Sequence, residues 1–149
     1  MSQVLVLYDT RSGNTGRMAR AVAEGSKSVQ GVEVVLKRVA EGSGELAGAD
    51  AVILGAPTHH TQPSRAMKRL LSGLSDVPLK GKVGATFGSY GWSGEAPGIM
   101  ARALRDQGVR MIGEALRVKR TPGTSDLTKC RDLGRAVAES VATVGGAKE

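Results

Sequence analysis

Short apolar runs that suit buried strands alternate with amphipathic helical segments along this chain, and this alternation limits the folds open to it. Runs rich in Val, Leu and Ile, such as QVLVLY at residues 3–8 and AVILGAP at residues 51–57, are typical of strands buried on both faces. The intervening segments carry apolar residues at helical spacing, as Met67, Leu70 and Leu74 do. Strand and helix alternate five times without a repeat or a linker. The pattern therefore predicts one α/β domain over residues 1–149, a three-layer sandwich with a five-stranded parallel sheet between helices.

The loop DTRSGNTG, residues 9–16, follows the first predicted strand and opens the first predicted helix. Hydroxyl and amide side chains surround its glycine, and free N–H groups at a helix N-terminus attract an anion. The motif is neither the ATP-binding G-x-x-x-x-G-K-[ST] loop nor the dinucleotide-binding G-x-G-x-x-G loop. An ordinary helix cap with turn residues is the alternative. Four such side chains in six residues exceed the needs of one cap, so the loop predicts a phosphate site.

Two further loops follow the third and fourth predicted strands. GAPTHHTQP holds His59 and His60, with no Cys or carboxylate nearby to complete a metal site, so a flat imidazole beside a planar ligand or a solvated loop is expected. FGSYGWSGEAPG holds Tyr90 and Trp92, although only four residues of the chain are Phe, Tyr or Trp. Aromatic side chains in a Gly/Ser loop suit stacking on a planar ring. The alternative is that Trp92 covers the end of the core.

Ligands of such sheets bind beyond the carboxyl ends of the strands, where the strand order reverses. The three loops thus suit a mononucleotide with a large flat base; the order 2-1-3-4-5 with FMN at that point is that of flavodoxin itself. TRSGNT resembles the flavodoxin phosphate loop, and GAPTHH resembles the second flavin loop. FGSYGWSGEA is similar to the third flavin loop in the C-terminal flavodoxin domain of A-type flavodiiron proteins. The resemblance extends from residue 3 through LRVKRTPGTSDLTKCRDLGRAVAE, residues 116–139.

The resemblance implies a flavodoxin-like fold with that strand order, FMN as the cofactor, and three groups of binding residues. The phosphate would be held by Thr10, Arg11, Ser12, Gly13, Asn14 and Thr15. One side of the isoalloxazine would be lined by Pro57, Thr58, His59 and His60, and the other by Ser89, Tyr90, Gly91, Trp92, Ser93 and Gly94. No side chain is expected to act as a catalytic acid, base or nucleophile, and none as a metal ligand.

The chain departs from the family pattern in three ways. The di-iron domain of the flavodiiron proteins is not seen, and two histidines could not supply its ligands, so the flavodoxin domain is expected to stand alone. Flavodoxins often have glycine where His60 stands, and a positive φ costs more for histidine. Flavodoxins are mostly acidic, whereas this chain has a net charge of +7.

The positive charge indicates which kinds of protein the chain could bind. Arg11, Arg65, Lys68 and Arg69 lie in or near the flavin loops, which favours acidic redox proteins such as ferredoxin- or rubredoxin-like carriers, or a separate oxidoreductase. A solvated helix face is the alternative for Lys68 and Arg69. The charges are otherwise dispersed, so a nucleic-acid partner is not expected.

The function expected from these residues is FMN-dependent electron transfer between redox proteins. Two alternatives stay open: an NAD(P)H:quinone oxidoreductase of the same fold, and a flavin-free binding module. A single Cys, no apolar run of about 18 residues and no signal-peptide pattern predict a cytoplasmic protein without a membrane span. The assembly is left open between a monomer and a homodimer.

Overall fold

One parallel sheet at the centre of the molecule carries helices on both faces. The computed structural model describes the backbone of residues 1–148 and the side chains of residues 1–142. Two short 3₁₀ turns, Ser43–Glu45 and Leu74–Asp76, accompany the helices. The elements in chain order are β1 (Ser2–Tyr8), α1 (Asn14–Lys27), β2 (Val32–Arg38), α2 (Val39–Gly42), β3 (Ala51–Gly55), β4 (Thr58–His59), β5 (Gln62–Pro63), α3 (Arg65–Ser72), β6 (Val83–Tyr90), α4 (Ala96–Asp106), β7 (Arg110–Met111), β8 (Leu116–Lys119) and α5 (Thr124–Lys148).

The sheet has the predicted order, with β2, β1, β3 and β6 as parallel neighbours. The fifth position is shared by β7 and β8, which both pair with β6 in parallel. Between them the chain leaves the sheet and turns at Gly113, whose φ of 67° suits glycine. This interruption explains why the sequence places a strand within residues 109–119 without a clear boundary. The predicted fold class and strand order 2-1-3-4-5 are confirmed.

Side chains of the central strands alternate between two apolar cores, as the period of a strand requires. Val4 and Val6 of β1 face α1 and α5, while Leu5 and Leu7 face α2, α3 and α4. All four side chains are fully buried, so the uninterrupted apolar run in the sequence contributes to the cores on both faces of the sheet. No helix among the described residues is long and apolar enough to cross a membrane.

Helices α1 and α5 approach so closely that glycine is required where they meet. A Cβ built on Gly134 would lie 1.9 Å from the carbonyl oxygen of Val22, and one on Gly25 would lie 1.9 Å from that of Arg131. The hydroxyl of Ser26, fully buried beside this contact, donates to the Gly134 carbonyl at 2.8 Å. The contact fixes α1, and therefore the first loop, against the sheet.

Gly134→Ala is expected to lower the free energy of unfolding by about 2 kcal/mol. Overpacking a core costs roughly 1–3 kcal/mol, which exceeds the gain of about 1 kcal/mol in helix propensity. Urea unfolding followed by circular dichroism measures the change. Gly44→Ala is the matched control, because a Cβ on Gly44 meets nothing within 4 Å. Equal stability of the two variants would contradict the close packing of α1 on α5.

Candidate functional site

The three loops singled out in the sequence meet at the carboxyl edge of the sheet and enclose a cavity of about 360 Å³. The loops follow β1, β3 and β6, which are adjacent in the sheet. Each contributes part of the wall, and one residue after β8 completes it. The lining residues are Arg11, Ser12, Asn14, Pro57, Thr58, His59, Ser89, Tyr90, Gly91 and Arg120.

The first loop is shaped by one threonine and one glycine. The Oγ1 of Thr10 accepts hydrogen bonds from the N–H groups of Gly13 (3.1 Å) and Gly16 (3.2 Å). Gly13 precedes α1 with a φ of 94° and has no side chain to cap the helix. A Cβ at Gly13 would meet nothing within 4 Å, so the space above it is open. Helix α1 has 14 residues and an open N-terminus with hydroxyl and amide side chains beside it. These groups and the free N–H groups of the helix are the hydrogen-bond donors that a phosphate requires.

Thr15 is placed away from the cavity, in the interior. It is 1% exposed, and its hydroxyl lies 2.7 Å from the hydroxyl of Ser89. The backbone N–H of Ser89 also donates to Thr15 Oγ1 at 3.4 Å. Thr15 therefore joins the first loop to the third, although sequence analysis grouped it with the phosphate-binding residues.

The second loop folds into the hairpin of β4 and β5, which sequence analysis missed. Its two central residues, His60 and Thr61, have φ values of 49° and 64°. Positive φ at both positions is what a tight two-residue hairpin needs, and it strains a β-branched residue such as Thr61. Thr58 Oγ1 accepts from the N–H of Ala96 at 3.0 Å, which ties the hairpin to α4. The turn puts His59 on the cavity wall and leaves His60 exposed.

The third loop divides its residues between the cavity and the solvent. Ser89, Tyr90 and Gly91 line the cavity, whereas the side chain of Trp92 is 96% exposed. Neither Ser93 nor Gly94 is among the lining residues.

Arg117, within β8, and Arg120, directly after β8, hold the third loop in place. The N–H of Arg120 donates to the Tyr90 carbonyl at 2.7 Å, and Arg117 Nε donates to the Gly94 carbonyl at 2.7 Å. Arg120 has a φ of 61° and lines the cavity. The stretch RVKR, residues 117–120, falls within the predicted resemblance but was not predicted to be part of the site. The signal available was its position at the end of the strand next to β6.

A second, polar groove of about 540 Å³ lies beside the cavity and shares Arg11 and His59 with it. Thr10, His60, Arg65 and Lys68 line this groove rather than the cavity. The sequence-predicted site residues are therefore distributed over the cavity, the adjacent groove, the interior and the solvent.

Two titratable groups at this edge, His59 and Asp9, have shifted pKa values. Burial lowers the pKa of His59 below its ordinary 6.5, and the guanidinium of Arg11 lowers it further, while Asp9 acts in the opposite direction. Burial alone would raise the pKa of Asp9, but the neighbouring Ser64 hydroxyl and the guanidinium of Arg38, 3.0 Å from Oδ1, hold it below its ordinary value. At neutral pH the cavity wall thus carries a neutral imidazole, and the carboxylate at the end of β1 is paired.

A family profile described as flavodoxin matches residues 6–134 of the chain. The chain belongs to the flavodoxin family. A flavodoxin of Aquifex aeolicus is 36% identical over 171 aligned positions, which cover 100% of this chain and 92% of the relative. A solved structure of a flavodoxin from the domain Archaea superposes with a TM-score of 0.88 at 35% identity, covering 93% of this chain and 98% of that one.

The chain is also similar to one part of larger proteins. The type A flavoprotein fprA of Rhodobacter capsulatus is 33% identical over 141 residues, 91% of this chain but 32% of the relative. The chain thus spans about a third of the length of this curated relative. The predicted likeness to both flavodoxins and A-type flavodiiron flavodoxin domains is confirmed.

Flavodoxins bind FMN, and the cavity of this flavodoxin suits that cofactor. The open N-terminus of α1 supplies donors for a phosphate, and the space between the second and third loops is lined by the flat side chains of His59 and Tyr90. Close approaches leave no room for side chains behind this space: a Cβ on Gly55 would lie 2.1 Å from the Phe87 ring, and one on Gly88 would lie 2.1 Å from the Ala56 carbonyl oxygen.

Removing either hydroxyl of the Thr15–Ser89 pair is expected to destabilise this flavodoxin. Ser89→Ala should cost about 1 kcal/mol. Thr15→Val should cost about 2 kcal/mol, because it leaves both the hydroxyl and the N–H of Ser89 without their partner. The double variant should cost less than the sum of the two. Urea unfolding of the flavin-free chain measures this, with Ser93→Ala as the control. Strict additivity would contradict the interaction.

The imidazole of His59 is expected to titrate below pH 6.5 in the flavin-free protein. The His60→Gln variant leaves a single histidine signal for NMR. Adding Arg11→Gln should raise the midpoint, yet leave it below 6.5, since burial is the larger cause. Because the unfolded chain binds this proton first, His59 should lower stability as the pH falls through about 6.5 and below. A midpoint at or above 6.5 would contradict the burial of His59.

Proposed function

We propose that this flavodoxin is an FMN-binding electron carrier that exchanges electrons with other redox proteins. The observation that supports it is the cavity at the carboxyl edge of the sheet, where three loops of distinct chemistry meet. The curated flavodoxin that the chain matches over nearly its whole length supports the same function. FMN, when bound, supplies the redox chemistry, while the protein supplies binding, orientation and electrostatics.

The residues of the chain then have separate tasks. Ser12, Asn14 and the N–H groups around Gly13 hold the phosphate, with Thr10 keeping the loop in shape. Pro57, Thr58 and His59 line one side of the ring, and Ser89, Tyr90 and Gly91 the other. Arg11 and Arg120 add positive charge at the cavity, which favours the reduced, anionic form of the cofactor and raises its reduction potential.

The partners of this carrier are proposed to be acidic redox proteins of the ferredoxin or rubredoxin kind, or a separate oxidoreductase. The net charge of +7 supports this, since complementary charge accelerates and orients encounters between redox proteins. A single cysteine, buried in the core, suits a cytoplasmic location.

The purified protein is expected to bind one FMN, and NADPH alone should leave the flavin oxidised. The measurement is the visible absorption spectrum without oxygen during stepwise addition of NADPH. Bleaching of the flavin bands within seconds would favour an oxidoreductase that uses NADPH directly. Failure to take up FMN would contradict the proposal and favour a flavin-free binding module.

Arg120→Gln tests the one cavity residue that sequence analysis missed. We expect about tenfold weaker FMN binding, equivalent to roughly 1.4 kcal/mol, because a cation on the cavity wall is lost. Quenching of flavin fluorescence on titration measures the affinity. Lys80→Gln, which removes the same charge just before β6 at the opposite edge of the sheet, is the control and should leave the affinity unchanged. Equal affinity of both variants would exclude Arg120 from cofactor binding.

A further inference from the structure

The side chain of Trp92 extends into solvent and does not line the cavity. Trp92 is 96% exposed and is the only Trp of the chain. Within the part of the chain whose side chains are described, the other large apolar side chain this exposed is Met1 at the N-terminus. Burying a large aromatic side chain removes 150–250 Å² from water, and Trp is among the residues most enriched at binding hot spots.

The backbone on either side of Trp92 is fixed, so the exposure is built into the loop. The carbonyls of Tyr90 and Gly94 are held by Arg120 and Arg117, each at 2.7 Å. A Cβ on Gly94 would lie 2.9 Å from the Tyr90 ring, so the loop closes tightly behind Trp92. The result is a large aromatic side chain that projects from a braced loop next to the cavity.

The surface around Trp92 is basic. The three site loops and the end of β8 carry four exposed cations, Arg11, Arg117, Lys119 and Arg120. The same segments carry two carboxylates, Asp9 and Glu95. Asp9 is paired with Arg38, and Glu95 is half-buried. An apolar centre with a rim of positive charge is complementary to a protein surface that has an apolar centre and a rim of carboxylates.

We infer that Trp92, with Arg117, Lys119 and Arg120, forms the docking surface for an acidic electron-transfer protein, with Trp92 as the buried anchor. We name these four residues the Trp92 surface. The inference rests on the proposed function and adds to it the place where the partner binds. Trp92 then contacts the partner rather than the flavin, which differs from the role that the sequence implied.

The accessibility of Trp92 in the FMN-loaded protein is the first test. A chain with one Trp gives one indole N–H signal in a ¹H–¹⁵N spectrum, and a soluble gadolinium chelate broadens signals of exposed groups. We expect this signal to broaden strongly with and without FMN. Protection of the signal by FMN alone would overturn the inference, because the flavin would then cover the side chain.

Binding of an acidic probe is the second test, with an oxidised plant-type [2Fe–2S] ferredoxin as the probe. Isothermal titration calorimetry of the FMN-loaded protein should give at least tenfold weaker binding for Trp92→Ala. Trp92→Phe should restore most of the affinity. Lys119→Gln should bind severalfold more weakly and with less dependence on salt. Lys80→Gln is the matched charge control and should bind like the parent.

The outcomes separate the docking surface from the proposed function. Unchanged ferredoxin affinity in Trp92→Ala, or no binding by the FMN-loaded parent protein, would overturn the docking surface and leave FMN binding intact. Equal affinity for basic cytochrome c would overturn its charge complementarity. Ferredoxin binding by a chain that takes up no FMN would support the surface while contradicting the electron carrier.

Discussion

Parallel pairing of β1, β3 and β6 is the constraint on which the site depends. Strands that run in the same direction end at the same edge, so loops separated by more than twenty residues in the chain meet above it. The Thr15–Ser89 hydrogen bond, 74 residues apart in sequence, then joins the first of these loops to the third. Without that register, the phosphate loop and the aromatic loop would share no cavity.

Close backbone contacts also fix the positions of the helices and of the strand ends. Gly134 lets α5 lie against α1, and α1 presents its N-terminus to the cavity. Gly55 and Gly88 leave room for the Phe87 ring and for the Ala56 carbonyl directly beneath the cavity. The turn at His60 and Thr61 lies at the same edge of the sheet. Its positive φ values are strained, and they set the direction of the hairpin. The buried apolar side chains form the two cores, whereas the non-glycine residues with positive φ within residues 1–148 lie at the site.

Electrostatics distinguish this flavodoxin from an acidic one at the level of single residues. Burial, together with the guanidinium of Arg11, lowers the pKa of His59, so its imidazole is neutral at pH 7 and the positive charge at the cavity comes from the arginines. Arg38 neutralises Asp9, the carboxylate directly after β1. Arginines therefore line the cavity on both the first-loop side and the β8 side, and positive charge there attracts anions.

The sequence by itself determined the layers and the identity of the three loops, because hydrophobic period and loop composition are local properties that do not depend on contacts between distant residues. The strand order followed only from the resemblance to flavodoxins. The sequence did not determine which side chains face the cavity. Trp92 shares its loop with Tyr90 yet projects into solvent, and Arg120 lies far along the chain yet lines the cavity. These placements depend on pairing between β6 and β8 and on hydrogen bonds between distant segments. Only the tertiary structure decides them, because the direction of a loop side chain is set by the backbone that braces it and not by its neighbours in sequence.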